Sequence, residues 1–91
     1  MPSAHMPAIL AVDDEPANLL LLQRLLQRTY QVTCAPNGQT ALDMLTHMPF
    51  DLVLLDIMMP DLSGYEVLER IRADSATADI PVILISALTE A

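Results

Sequence analysis

Residues 50–55 are apolar at every position except Asp51. A run this short and this uniformly apolar suits a strand buried on both faces, which in turn suits a parallel sheet with helices on either side. The rest of the chain follows the same plan. Ala8–Val12 is a second short apolar run that stops abruptly at Asp13-Asp14. Residues 80–86 form a third, with Pro81 near its start, where a strand tolerates proline. Residues 30–34 alternate and include Val32 and Thr33, as an outer strand would.

Helical segments fill the gaps. Asp14 or Glu15 stands at a helix N-cap and Pro16 suits the first turn. From there Leu19, Leu22, Leu25 and Leu26 share one face through about Arg28. Leu20 and Leu21 widen that face enough for the helix to be covered on two sides. Asn37 is placed to cap a second helix, which runs to His47, turns Ala41, Leu42 and Leu45 inward and stops before Pro49. Ser63 and Glu66 have capping-box spacing. They open a third helix to about Ala73 that buries Val67, Leu68 and Ile71. Residues 74–79 form a polar connection. The order is βαβαβαβ, which predicts an α/β fold with a doubly wound parallel sheet and right-handed crossovers.

Composition narrows the function. The 91 residues suggest one small domain, expected to span residues 8–91 behind a loose tail at 1–7. The net charge is −8, and Arg24, Arg28, Arg70 and Arg72 are the only basic residues besides two histidines. Nucleic-acid binding needs clustered Lys and Arg, so it is not expected, and neither is binding to an anionic membrane. No apolar run approaches a membrane span and no signal peptide opens the chain, so the cytoplasm is the expected compartment. Cys34 has no disulfide partner within the chain and reads as an inert strand thiol. The 53% hydrophobic content is high for so short a chain and calls for a dense core, a partner or a self-interface.

In parallel α/β sheets ligands bind at the carboxyl ends of strands. Asp13, Asp14, Asp56 and Ser86 all fall at such ends. Three carboxylates converging there make a pocket for a hard cation, and one of them can serve as a nucleophile.

Val12-Asp13-Asp14-Glu15-Pro16, the stretch from Asp51 to Pro60, Ser63-Gly64-Tyr65-Glu66, and the stretch from Pro81 to Ala87 occur in order and at the right spacing. Together they resemble the receiver domain of bacterial two-component response regulators. The resemblance implies a flavodoxin-like sheet and a non-enzymatic phospho-acceptor working with a histidine kinase or phosphotransfer protein. By the same carry-over Asp56 would be phosphorylated, Asp14 would bind Mg²⁺ directly, and Asp13 would act through metal-bound water. The Met58 backbone carbonyl would be a further ligand. Ser86 would contact the phosphoryl oxygens, with Ala87 as the small residue after it.

A full receiver continues with a further helix, strand and helix, and carries a lysine at the end of its fifth strand. This chain contains no lysine, so it is expected to be a receiver truncated after the fourth strand. Residues 80–85 would then be an open apolar edge, inviting a homodimer or higher oligomer through that strand. The alternative reading is a receiver-derived interaction or oligomerisation module that no longer signals by phosphorylation. A metal-dependent phosphatase with an aspartyl nucleophile would need a second acid two residues after it, and that position is Met58.

Overall fold

A computed structural model describes residues 6–86. Seven elements follow in the expected order: β1 (Ala8–Val12), α1 (Pro16–Leu26), β2 (Gln31–Ala35), α2 (Gly38–His47), β3 (Leu52–Asp56), α3 (Gly64–Ala73) and β4 (Val82–Ile85). The strands form one sheet in the order β2-β1-β3-β4. Every pairing is parallel, with Val12 beside both Ala35 and Leu55, and Asp56 beside Ile85.

Alternation along the strands divides the core between two faces. Leu10 and Val12 of β1 and Val53 and Leu55 of β3 join Ala41 and Leu45 of α2 and Val67 and Ile71 of α3 in one buried cluster, completed by Phe50 and Met59. Each fully buried Leu, Ile or Val contributes roughly 1.5–3 kcal/mol, so this cluster dominates the stability of the domain. Ile9, Ala11 and Leu54 are buried on the opposite face. There α1 lies against β1 and β2, and the Cys34 thiol reaches the Leu19 carbonyl at 3.9 Å. Partial burial pushes the Cys34 thiol pKa up, which keeps the protonated, unreactive form at neutral pH.

The helix starts follow their chemistry. The Asn37 side chain accepts the Thr40 N–H at 2.8 Å. Ser63 and Glu66 complete the capping box, at 3.3 Å from the Glu66 N–H to Ser63 Oγ and 2.9 Å from the Ser63 N–H to the Glu66 carboxylate. At the head of α1 Glu15 is the N-cap, yet its side chain makes no capping bond.

Several expectations need correction. α1 ends at Leu26, short of Arg28, and β3 begins at Leu52 and includes Asp56. Leu25 does not face inward and is 67% exposed, and no residue of α1 is buried. The reason is placement: α1 covers chiefly the β1–β2 half of its face, so helical periodicity identified the apolar stripe without saying how much sheet lay beneath it. The connection after α3 is more than a polar loop. Thr77 is buried and donates its hydroxyl to the Ile71 carbonyl at 2.8 Å. Arg72 donates to the carbonyls of Ala78 and Ile80 at 2.9 and 2.7 Å, tying this connection to α3.

Candidate functional site

Strand pairing carries the acidic residues to one place. The Asp13 N–H donates to the Ala35 carbonyl at 3.2 Å, extending the β1–β2 ladder one residue beyond β1. Asp56 is the last residue of β3 and sits beside Ile85 of β4. One step on, the Ile57 N–H donates to the Ile85 carbonyl at 3.1 Å, bringing Ser86 to the same end of the sheet. Carboxylate oxygens of Asp13, Asp14 and Asp56 lie within 4.8 Å of one another.

These carboxylates are held differently. Asp13 is buried, and both of its oxygens accept hydrogen bonds: Oδ1 from the Glu15 N–H at 2.9 Å and Oδ2 from the Asn18 amide at 3.2 Å. Asp14 is exposed. Asp56 is 6% exposed and accepts the Met58 N–H at 3.3 Å. Burial pushes the Asp56 carboxyl pKa up, and the nearby charge of Asp13 adds to this. The Met58 N–H opposes the shift, while Asp14 adds to it. A buried carboxylate among like charges is stabilised by a cation. The donor set is all oxygen and acidic, with one exposed member reachable from solvent, and it fits a hard divalent cation such as Mg²⁺.

Asp13, Asp56 and Ser86 line an open cleft of about 390 Å³ with Asn18, Leu21, Leu22 and Ile85. Behind Asp56 the chain turns tightly. The Gly64 N–H donates to the Ile57 carbonyl at 3.0 Å, and Asp61 adopts a left-handed φ of 68°. A Cβ on Gly64 would stand 2.3 Å from the Asp56 carbonyl oxygen and 2.8 Å from Ile57 Cα.

Asp13, Asp14, Asp56 and Ser86 therefore gather as the sequence predicts. At Met58 the backbone N–H contacts Asp56, while the side chain is 70% exposed. Ala87 lies outside the described residues. Sequence reasoning missed two participants. Asn18 stands five residues after Asp13, in the first turn of α1, where a polar side chain can reach back to the strand end. Gly64 was legible as part of a helix start but not as the residue that packs against the backbone of Asp56.

Known proteins give a consistent picture. A family model described as the response regulator receiver domain matches residues 9–91. A probable cyclic di-GMP phosphodiesterase of Vibrio cholerae is 45% identical over 78 residues, which is 86% of this chain and 18% of that protein. The response regulator PleD of Caulobacter vibrioides is 44% identical over 81 residues, 88% of this chain and 18% of that one. The chain thus spans about a fifth of the length of these curated relatives. Among solved structures, the N-terminal domain of a response regulator receiver protein from Methanoculleus marisnigri superposes with a TM-score of 0.88 at 42% identity, covering 96% of this chain and 72% of that one. The chemotaxis protein CheY4 of Vibrio cholerae gives a TM-score of 0.88 at 29% identity, covering 94% and 72%. With four parallel strands, an acidic pocket at their carboxyl ends and a family match across nearly its whole length, the chain belongs to the response regulator receiver domains of two-component signalling.

Proposed function

We propose that Asp56 is the phospho-acceptor of this receiver domain. The observation that carries the reading is the convergence of the Asp13 and Asp14 carboxylates on a buried Asp56 at the end of the central strand β3. An oxygen of the Asp56 carboxylate attacks phosphorus in the phosphohistidine of a histidine kinase or phosphotransfer protein. The P–N bond breaks, its electron pair returns to the imidazole, and an acyl phosphate forms on Asp56. A divalent cation bound at this pocket supplies the positive charge that lets an anionic nucleophile approach an anionic group.

The remaining roles belong to the chain itself. Asp14, exposed at the mouth, and Asp56 would hold Mg²⁺ directly. Asp13, with both oxygens already accepting hydrogen bonds, would act through an intervening water. The Met58 carbonyl would be a further ligand. The Ser86 hydroxyl donates to the phosphoryl oxygens, and Ala87, the small residue expected after it, lies outside the described residues. Receiver domains work with histidine kinases or phosphotransfer proteins, and family membership supports a partner of that kind here. The family match and the assembled pocket favour this reading over an interaction module without phosphorylation.

The test is intact mass of the 91-residue chain after incubation with acetyl phosphate and Mg²⁺. One phosphoryl adduct is expected, and none on Asp56→Asn. An adduct that persists in Asp56→Asn places the acceptor elsewhere. No adduct on the folded natural chain returns the interaction module to first place.

The proposal extends to assembly. Among the described residues β4 pairs with β3 alone in the sheet, and Ile83 on it is 50% exposed. Leu20, Leu21 and Leu25 of α1 add exposed apolar area. An open apolar edge of this kind recruits another strand, so a second copy pairs through β4. Sedimentation over a concentration series should show a dimer or larger species; a strictly monomeric folded chain would refute it.

A further inference from the structure

Asp13 and Asp56 carry like charges, are both buried, and are near enough to share one cation. Repulsion alone would rotate the Asp13 carboxylate away from Asp56. Two donors prevent this, one on each oxygen: the Glu15 N–H on Oδ1 and the Asn18 carboxamide on Oδ2. The first comes from the backbone where the chain enters α1. The second is a side chain, and so a matter of sequence. Asn18 lines the same cleft as Asp13, Asp56 and Ser86.

The residue type matters. A lysine or arginine at this point would hold Asp13 but would also neutralise it and compete with a metal. A neutral amide orients the carboxylate and leaves its charge available. The hydrogen bond also settles which way the amide points, because its oxygen facing Asp13 would set acceptor against acceptor. The backbone of Asn18 already serves the helix, its N–H donating to the Glu15 carbonyl at 3.0 Å. Its side chain is therefore not needed to satisfy the first turn.

We infer that Asn18 is a positioning residue, whose carboxamide holds Asp13 turned toward Asp56 and so prepares the pocket for a divalent cation. The inference rests on the metal pocket proposed above. Partners that orient a metal's ligands are typically worth about 10–100-fold in affinity.

Calorimetric titration of the 91-residue chain with Mg²⁺, below the melting temperature of every variant, provides the test. Asn18→Leu keeps the approximate size and removes the donor; its Mg²⁺ affinity should fall about tenfold, with its metal-free Tm little changed. Asn18→Gln retains an amide donor on a longer stem and should recover most of that loss. Asp13→Asn is measured beside them. If Asp13→Asn binds Mg²⁺ as tightly as the natural chain, the metal pocket itself is misassigned. If Asp13→Asn loses binding while Asn18→Leu keeps it, the pocket stands and the role of Asn18 falls. Equal losses in Asn18→Leu and Asn18→Gln would also overturn that role, because the amide donor would then not be what matters.

Discussion

Replacing Gly64 by alanine is expected to destabilise the domain by about 3 kcal/mol, the upper part of the range for overpacking a tight site. Glycine is needed at this position for space, since Gly64 does not have a positive φ. The added Cβ would meet the Asp56 carbonyl oxygen and Ile57 Cα, both backbone atoms, at separations real Cβ atoms do not tolerate. Relief requires moving either the start of α3 or the end of β3, and the end of β3 carries the candidate acceptor. Alanine's better helix propensity returns only about 1 kcal/mol. In a domain this small, whose total stability is on the order of 5–14 kcal/mol, such a loss is visible as a sharp fall in the denaturant midpoint. Gly38→Ala is the matched control. Its Cβ would meet Val67 Cγ2 at 2.6 Å and Leu62 side-chain atoms at 3.1 Å and beyond, and side chains can yield where backbone cannot. Its cost should be smaller, about 1 kcal/mol. Equal midpoints for the two variants would remove the argument that close backbone approach constrains Gly64.

Asp56→Asn should do two opposite things: abolish the phosphoryl adduct and stabilise the metal-free fold at neutral pH. The folded-state pKa of Asp56 is raised, by burial first and by Asp13 next. Between the ordinary carboxyl value of 3.8 and the raised one, the native state binds more protons than the unfolded state. Stability therefore falls as pH rises through that window, and the full cost persists at neutral pH. Asparagine removes the charge and keeps an oxygen to accept the Met58 N–H. The variant should melt higher than the natural chain at neutral pH, because the raised carboxyl pKa makes the charged form a cost to the folded state. The difference should vanish below pH 3.8, where the natural carboxyl is also neutral. Mg²⁺ should raise the Tm of the natural chain and act much less on the variant. A variant that melts at or below the natural chain at neutral pH would show that Asp56 carries no net electrostatic cost.

Much of this was readable from one sequence because its signals are local. The apolar runs ending in acid give both the strands and the site, since a parallel sheet places every strand's carboxyl end on one edge. Asn37 and Ser63 mark helix starts because a side-chain oxygen there meets N–H groups that have no partner inside the helix. What failed concerned contacts between elements. Leu25 lies on the same apolar stripe as Leu22 and Leu26, yet is largely exposed, because the stripe is wider than the sheet surface beneath it. Arg72 reads as a surface charge until the connection after α3 folds back and offers it two carbonyls.

By itself the sequence determined the order of elements, the parallel sheet and the identity of the three acids, because periodicity and capping depend on residues only a few positions apart. The tertiary structure alone decided that Asn18 reaches Asp13, that Gly64 packs on the backbone of Asp56, that Asp13 and Asp56 are both buried, and that the Asp56 pKa is raised. Those facts depend on the register between β1, β3 and β4 and on where α1 and α3 settle. Such distances and desolvation arise only when residues far apart in the chain are packed together.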